Sequence, residues 1–286
     1  MKRRDEILEV VARVPALPSS AAEALRLAQD DQVRLDRLGG VIERDPALTA
    51  NLLRLANCAW FGFARRVPTV REALIRLGGR EVVHVVLAAI AAPYLQRPVR
   101  GYDLPVGVLW ERSVATAVGA VELANALGLR PPGSLFEAAL LADIGKIVLG
   151  SFVEAEAEPI TSLAYEQEMS FEQAEREVLG ISHAEVGAAL LDGWLLPEEI
   201  VEVVRYHHQP ELSGQARLAT VLVHAADALC MILGQGTGAD GLNYRLSDCV
   251  AQELPLQKLP ADELVSILQE RASEARQLIG LAGCAA

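Results

Sequence analysis

Aromatic side chains are scarce in this chain. Only 5% of its 286 residues are Phe, Trp or Tyr, although 51% are hydrophobic. Apolar content carried by Ala and Leu suits helix packing and disfavours a β-sandwich, which draws on aromatic and β-branched residues. No segment alternates apolar and polar residues well enough to be a sheet strand. Cysteine is also scarce: Cys58, Cys230, Cys249 and Cys284 form no CxxC pair and no metal-binding spacing. They read as small core or surface thiols in a reducing compartment. Positive charge is in deficit, with 26 Lys and Arg against 38 Asp and Glu and a net charge of −12. An acidic surface repels phosphate backbones, so no nucleic-acid partner is expected. Arg65, Arg66, Arg71 and Arg76 make the one modest basic cluster, which reads as a solvated face. A long hydrophobic run is missing as well. The longest, Val82 to Leu95, contains His84 and Pro93 and falls short of the ~20 residues that span a bilayer. The opening Met1-Lys2-Arg3-Arg4 imitates a signal peptide, but Asp5, Glu6 and Glu9 leave no apolar core behind it. A cytoplasmic chain with no membrane partner is the expectation.

What is present is helical punctuation. Asp45-Pro46 pairs a capping carboxylate with a proline at the first helical position, where its missing N–H costs nothing. Leu48, Leu52, Leu53, Leu55 and Ala56 then follow as a helical stripe. Thr69 caps the next helix and Gly78-Gly79 closes it. Two prolines and a glycine between Arg97 and Pro105 mark a connection, which divides the chain into residues 1–100 and 101–286. A long helical pattern runs from Val108 to Leu127. Ser134 or a neighbour starts the helix leading to Asp143. Ser170 with Gln173, and Ser182 with Glu185, are capping boxes. Pro197-Glu198-Glu199 opens a helix that ends at His207-His208. Gln215 to Leu233 is another helix, Gly234 to Gly241 is glycine-rich without the form of a phosphate loop, and Ala261 to Leu278 is helical in pattern. The expected fold is all-α.

Around these signals sits a series of ordered motifs: Asp45-Pro46-Ala47-Leu48-Thr49, Leu52 to Asn57, Leu74 to Gly79, Leu109-Trp110-Glu111-Arg112-Ser113, Leu140-Leu141-Ala142-Asp143-Ile144-Gly145-Lys146, and Leu179-Gly180, His183, Gly187, Trp194, Pro197 and His207-His208. Together they resemble the HDOD family, part of the HD superfamily and related to HD-GYP domains. The resemblance covers roughly Val14 to Leu233. It implies an all-helical, bacterial protein tied to signalling or regulation, in a family where many members lack demonstrated catalysis. In catalytic HD relatives an adjacent His-Asp pair holds metal. Carried over by position, the implied ligands fall at Arg112, Ala142, Asp143, His183, His207 or His208, and Asp227.

Two of those positions cannot serve. Alanine has no donor, and a guanidinium stays protonated and repels cations. A buried Asp143 would need a partner. Arg112 is therefore expected to replace the missing cation and pair with it, the alternative being a surface arginine. His183, His207, His208 and Asp227 could still join Asp143 around one ion, or could form a metal-free polar cluster. Adjacent helical residues point ~100° apart, so one of His207 and His208 is expected to face such an ion. His84 and His224, in apolar helical settings, read as core or interface histidines. Lys146 could meet an anion, but a charge at a helix C-terminus or a solvated lysine is the expectation. Trp60-Phe61-Gly62-Phe63 is expected to cap the N-terminal bundle.

The expected function is a non-catalytic signalling module with no bound cofactor. It would act through other signalling proteins or a small anionic ligand held by Arg112, Asp143, Lys146, His183, His207, His208 and Asp227. The alternatives are a metal-dependent phosphohydrolase or cyclic-nucleotide phosphodiesterase with an altered site, and a nucleotide or anion sensor.

Overall fold

The structure, a computed structural model, describes residues 2–28, 34–57, 65–234, 236–241, 243–256 and Ser266. The chain is all-α: among the described residues the only β pairing is an isolated bridge between Val99 and Leu104. Contacts divide it into two units, one formed by residues 1–15 and 94–272, the other by residues 16–93 with residues 273–286. The aromatic run Trp60 to Phe63, Cys58, Cys284 and nearly all of the pattern from Ala261 to Leu278 lie outside the described residues.

In the unit of residues 16–93, α2 (Ser19–Ala28), α3 (Leu35–Glu43), α4 (Pro46–Ala56), α5 (Val70–Leu77) and most of α6 (Gly79–Leu95) follow one another. Asp45 starts α4 as read from sequence: its Oδ1 accepts the N–H groups of Ala47 and Leu48, both at 3.0 Å. Ser20 donates to Oδ2 at 2.7 Å. The Leu48 N–H bond, then the Ser20 hydroxyl, hold the Asp45 carboxyl below its ordinary pKa. Leu48, Leu52, Leu55 and Ala56 are buried, while Leu53 is half-buried. Thr69 caps α5 through the Glu72 N–H, and Gly78 ends it at φ +64°, a conformation that favours glycine. Arg65 and Arg66 are exposed, Arg71 pairs with Asp36, and Arg76 pairs with Glu72.

The other unit contains α1 (Lys2–Arg13), α7 (Val108–Ala126), α8 (Leu135–Leu141), α9 (Lys146–Ala155), α10 (Ala157–Glu166), α11 (Phe171–Leu179), α12 (His183–Gly193), α13 (Glu198–Tyr206), α14 (Arg217–Ile232) and α15 (Asp248–Glu253). Its core is built on α7, which packs against α8 and α14 and is buried on nearly every side from Leu109 to Ala124. Such a helix shows little amphipathic pattern, because each face meets another helix. α12 packs on α13, and α1 lies against α12 and α9. Ile7 and Val11 of α1 are buried, and Trp194 Nε1 donates to Pro15 O at 3.3 Å. Both capping boxes form: Ser170 with Gln173 starts α11, and Ser182 with Glu185 starts α12. Each cap is worth about 1 kcal/mol, and the second fixes the position of His183. Among the described residues no helix is long and apolar enough to cross a membrane.

Candidate functional site

Eight side chains from seven places in the chain meet inside the larger unit. Arg112 comes from the first turns of α7 and Asp227 from α14. Asp143 lies in the turn between α8 and α9, and Lys146 is the first residue of α9. His183 opens α12, and His207 and His208 follow the end of α13. The eighth, Asp240, sits in a short 3-10 turn, Ala239–Gly241. Gly145 makes the assembly possible. A Cβ there would lie 2.0 Å from His183 O and 2.5 Å from Gly187 N, so only glycine lets the start of α9 reach the start of α12. That contact sets Asp143 beside His183.

Arg112 is the centre of the charged cluster and is 1% exposed. Its Nε and Nη2 both donate to Asp227 Oδ1, at 3.1 and 3.0 Å, and Nη2 also reaches Oδ2 at 3.1 Å. Its Nη1 donates to Asp240 Oδ2 at 2.6 Å, and its Nε lies 3.2 Å from Asp143 Oδ2. The expected pairing with Asp143 is present, but it is one of three. Burial disfavours the charged guanidinium, yet Asp143, Asp227 and Asp240 outweigh it and raise its pKa well above the ordinary value. Burial likewise works against the Asp143 carboxylate, but Arg112 and Lys146 hold it well below the usual range. Asp240 is brought down to about 2: Lys146 and Arg112 overcome a burial penalty of the opposite sign.

Lys146 departs from expectation. It is neither solvated nor at a helix C-terminus; it is 0% exposed at the N-terminal end of α9. A cation there opposes the helix dipole, and nearby carboxylates supply the compensation. Its Nζ lies 2.8 Å from Asp143 Oδ1, also bonds Asp240 Oδ2, and sits 5.4 Å from the centre of the Tyr102 ring. Burial and Arg112 push the Lys146 pKa down, and Asp143, Asp240 and Asp227 more than restore it, leaving it raised.

The histidines form the second half of the site. Glu175 Oε2 accepts both the backbone N–H of His183 and its Nδ1–H, each at 2.8 Å. This hydrogen-bond assignment leaves His183 Nε2 facing inward. Burial lowers the His183 pKa, but Glu175 overrides it and brings the value to about 9. His183 Nε2 is 2.9 Å from His208 Nε2 and 3.4 Å from Asp143 Oδ1. His207 donates Nδ1–H to Val204 O at 2.8 Å. Its Nε2 is buried without a hydrogen-bond partner, 3.9 Å from Asp143 Oδ1. Burial pushes His207 down to about 4 and His208 well below its ordinary value.

Both adjacent histidines face the cluster, against the expectation that one would. The 100° rule applies within a helix, and α13 stops at Tyr206, so His207 and His208 are placed by the turn. His224 is a structural residue: Nδ1 donates to His207 O at 2.7 Å and Nε2 accepts from Ser247 N at 2.9 Å.

One nitrogen from each of His183, His207 and His208, and one Asp143 oxygen, lie within 4.8 Å of one another. Donors bound at ~2 Å from one ion stand at comparable mutual distances. Asp143 Oδ1 is met by Lys146 as an ion pair, and His207 Nε2 is left without a hydrogen-bond partner. The spacing therefore fits one divalent transition ion, whose binding would displace the Nε2 proton of His183. It does not fit two. Asp227, expected among the ligands, is gripped by Arg112, as is the second oxygen of Asp143. Asp240 was not among the expected residues; closely spaced glycines at 236, 238 and 241 were its only local signal.

An all-helical unit that gathers His183, His207, His208 and the Asp143 turn in one buried pocket is an HD-superfamily arrangement. The chain belongs to the HDOD family, whose model matches residues 14–210. Among solved structures it is similar to an HDOD domain protein of unknown function from Geobacter sulfurreducens, with 24% identity and a TM-score of 0.74, covering 98% of this chain and 97% of that one. It is also similar to a Shewanella amazonensis SB2B protein provisionally named a phosphohydrolase, with 25% identity and a TM-score of 0.72, covering 95% and 97%. An uncharacterized protein of Treponema pallidum (strain Nichols) is 29% identical over 203 residues. That match covers 71% of this chain and 39% of the relative's length.

Proposed function

We propose that this HDOD protein is a regulatory module that cleaves no phosphoester and acts through contacts with other proteins or a small ligand. One observation carries the reading: Arg112 engages Asp143, Asp227 and Asp240 together. Metal-assisted phosphoester hydrolysis uses ions to activate water and to neutralise phosphate charge. Here a fixed guanidinium supplies the positive charge instead, and it has no way to make hydroxide from water. The reading is tested by loading the purified protein with Mn²⁺ and offering a generic phosphodiester. The expected rate equals that of a His183→Ala variant; turnover that disappears in that variant would overturn it.

The unpartnered His207 Nε2 beside the Asp143 carboxylate favours a second reading, a phosphohydrolase with a single ion. His183, His207, His208 and Asp143 would hold the ion, which would supply Lewis acidity and an activated water. The same assay separates the two, because only the second expects stoichiometric metal together with turnover.

A further inference from the structure

We propose that Arg112 and Lys146 form a latent oxyanion site, that Asp240 fills it as an internal stand-in, and that a phosphate-class anion displaces the segment Gly236–Gly241 to enter. This deepens the regulatory reading above by naming a ligand class and a moving part.

Charge balance singles out Asp240. The buried cations Arg112 and Lys146 are already matched in number by Asp143 and Asp227. Asp240 is the surplus carboxylate and takes the donors left over. One oxygen, Oδ2, receives both Arg112 Nη1 and Lys146 Nζ, as an oxygen of a bound phosphate would. Its other oxygen accepts only the Gly238 N–H, at 3.2 Å. An incoming anion can therefore replace Asp240 charge for charge, leaving the Arg112–Asp227 and Lys146–Asp143 pairs intact.

The segment is attached in a way that permits this. Among its residues 236–241, Asp240 is the only buried one. Its anchorage is thus electrostatic, with little apolar surface to expose on release. The backbone seats closely because two residues lack side chains. A Cβ on Gly238 would lie 1.9 Å from Tyr102 O, and one on Gly236 would lie 2.7 Å from the Arg112 Cβ. The void beside Arg112, Lys146 and Asp240 measures about 10 Å³, enough for one water and too small for phosphate. Binding at these cations therefore requires Asp240 to leave. A cavity of about 250 Å³ shares Ser170, Glu172, His208 and Tyr244 with that void in its lining.

The test uses the full chain, inorganic phosphate, and chloride at matched ionic strength. Phosphate is expected to speed amide hydrogen exchange in peptides covering residues 236–241 at least severalfold, because the Gly238 N–H loses its acceptor. Asp240→Asn is expected to bind phosphate at least tenfold more tightly than the parent, read from the concentration dependence of its melting temperature. Adding Lys146→Ala to that variant should abolish the gain. Asp240→Asn keeps the side-chain size, so it carries the test where Asp240→Ala fails to fold. Unchanged exchange at saturating phosphate, or Asp240→Asn binding no tighter than the parent, overturns the proposal. Phosphoester turnover would refute the regulatory reading while leaving these two measurements to stand or fall on their own.

Discussion

Glu175 holds His183 at two points, accepting its backbone N–H and its ring Nδ1–H through the same carboxylate, and both residues are buried. Tyr102 donates its hydroxyl to the other oxygen of that carboxylate at 2.7 Å. The histidine is thus fixed in place and orientation before anything reaches its Nε2. Glu175→Ala strands three donors and is expected to cost on the order of 3 kcal/mol in urea unfolding. Glu175→Gln keeps an acceptor and costs less. It should also drop the His183 pKa below about 9, read by NMR of the ring protons. An unchanged titration would show that Glu175 is not what keeps the imidazole protonated.

Removing Arg112 should be more costly. Arg112→Met leaves three buried carboxylates with only Lys146 and, at Asp143, His183 to offset them. A loss of about 3–5 kcal/mol is expected, as for other broken buried ion pairs. The freed carboxylates should also raise the affinity for divalent cations, so Mn²⁺ is expected to recover part of the lost stability in the variant and to do less for the parent. Equal stabilisation of both proteins by Mn²⁺ would contradict the idea that the guanidinium takes the cation's place.

Gly145→Ala places a methyl group against backbone atoms that cannot swing aside, 2.0 Å from His183 O and 2.5 Å from Gly187 N. The start of α9 must then move away from α12. Thermal unfolding should reveal a loss above about 3 kcal/mol, the overpacking range and beyond. Gly187→Ala meets its nearest atoms at 3.1 Å and should be milder. The reverse order of severity would mean that the Gly145 contact does not set the spacing of the two helices.

Acid should weaken the fold through Asp240. Its pKa is about 2 in the folded protein against an ordinary value of 3.8. A depressed carboxyl contributes stability that is complete above its unfolded pKa and is lost as pH falls through the folded one. The window is therefore pH 4 down to pH 2, and the contribution is on the order of 2 kcal/mol. Asp240→Asn should be less stable than the parent at neutral pH and should show a flatter acid limb in unfolding measurements. Parallel curves for the two proteins would exclude Asp240 as a source of the acid dependence.

The legible parts of the molecule were those with local causes. Asp45, Thr69, Ser170 and Ser182 announce helix starts because each caps an N–H within three residues of itself. The Arg112–Asp143 pairing followed from the cost of burying a lone carboxylate. Lys146 was misread because its sequence neighbours describe a helix end, whereas its surroundings come from Tyr102 and Asp240. The joint inward aim of His207 and His208 was hidden by a helix that ends one residue too early for helical geometry to apply. Asp240 lies 128 residues from Arg112. No pattern of period two or 3.6 encodes a contact made across that distance by a turn.

The Arg112 cluster also reaches past the span by which the family is recognised. Residues 14–210 contain Arg112 and Asp143, but Asp227 and Asp240 come later in the chain. A fragment cut at those limits would keep the arginine and lose two of its three counter-charges, together with α1, which covers α12. For this protein the boundaries of shared ancestry and of electrostatic self-sufficiency do not coincide, and any dissection meant to preserve the pocket has to follow the second.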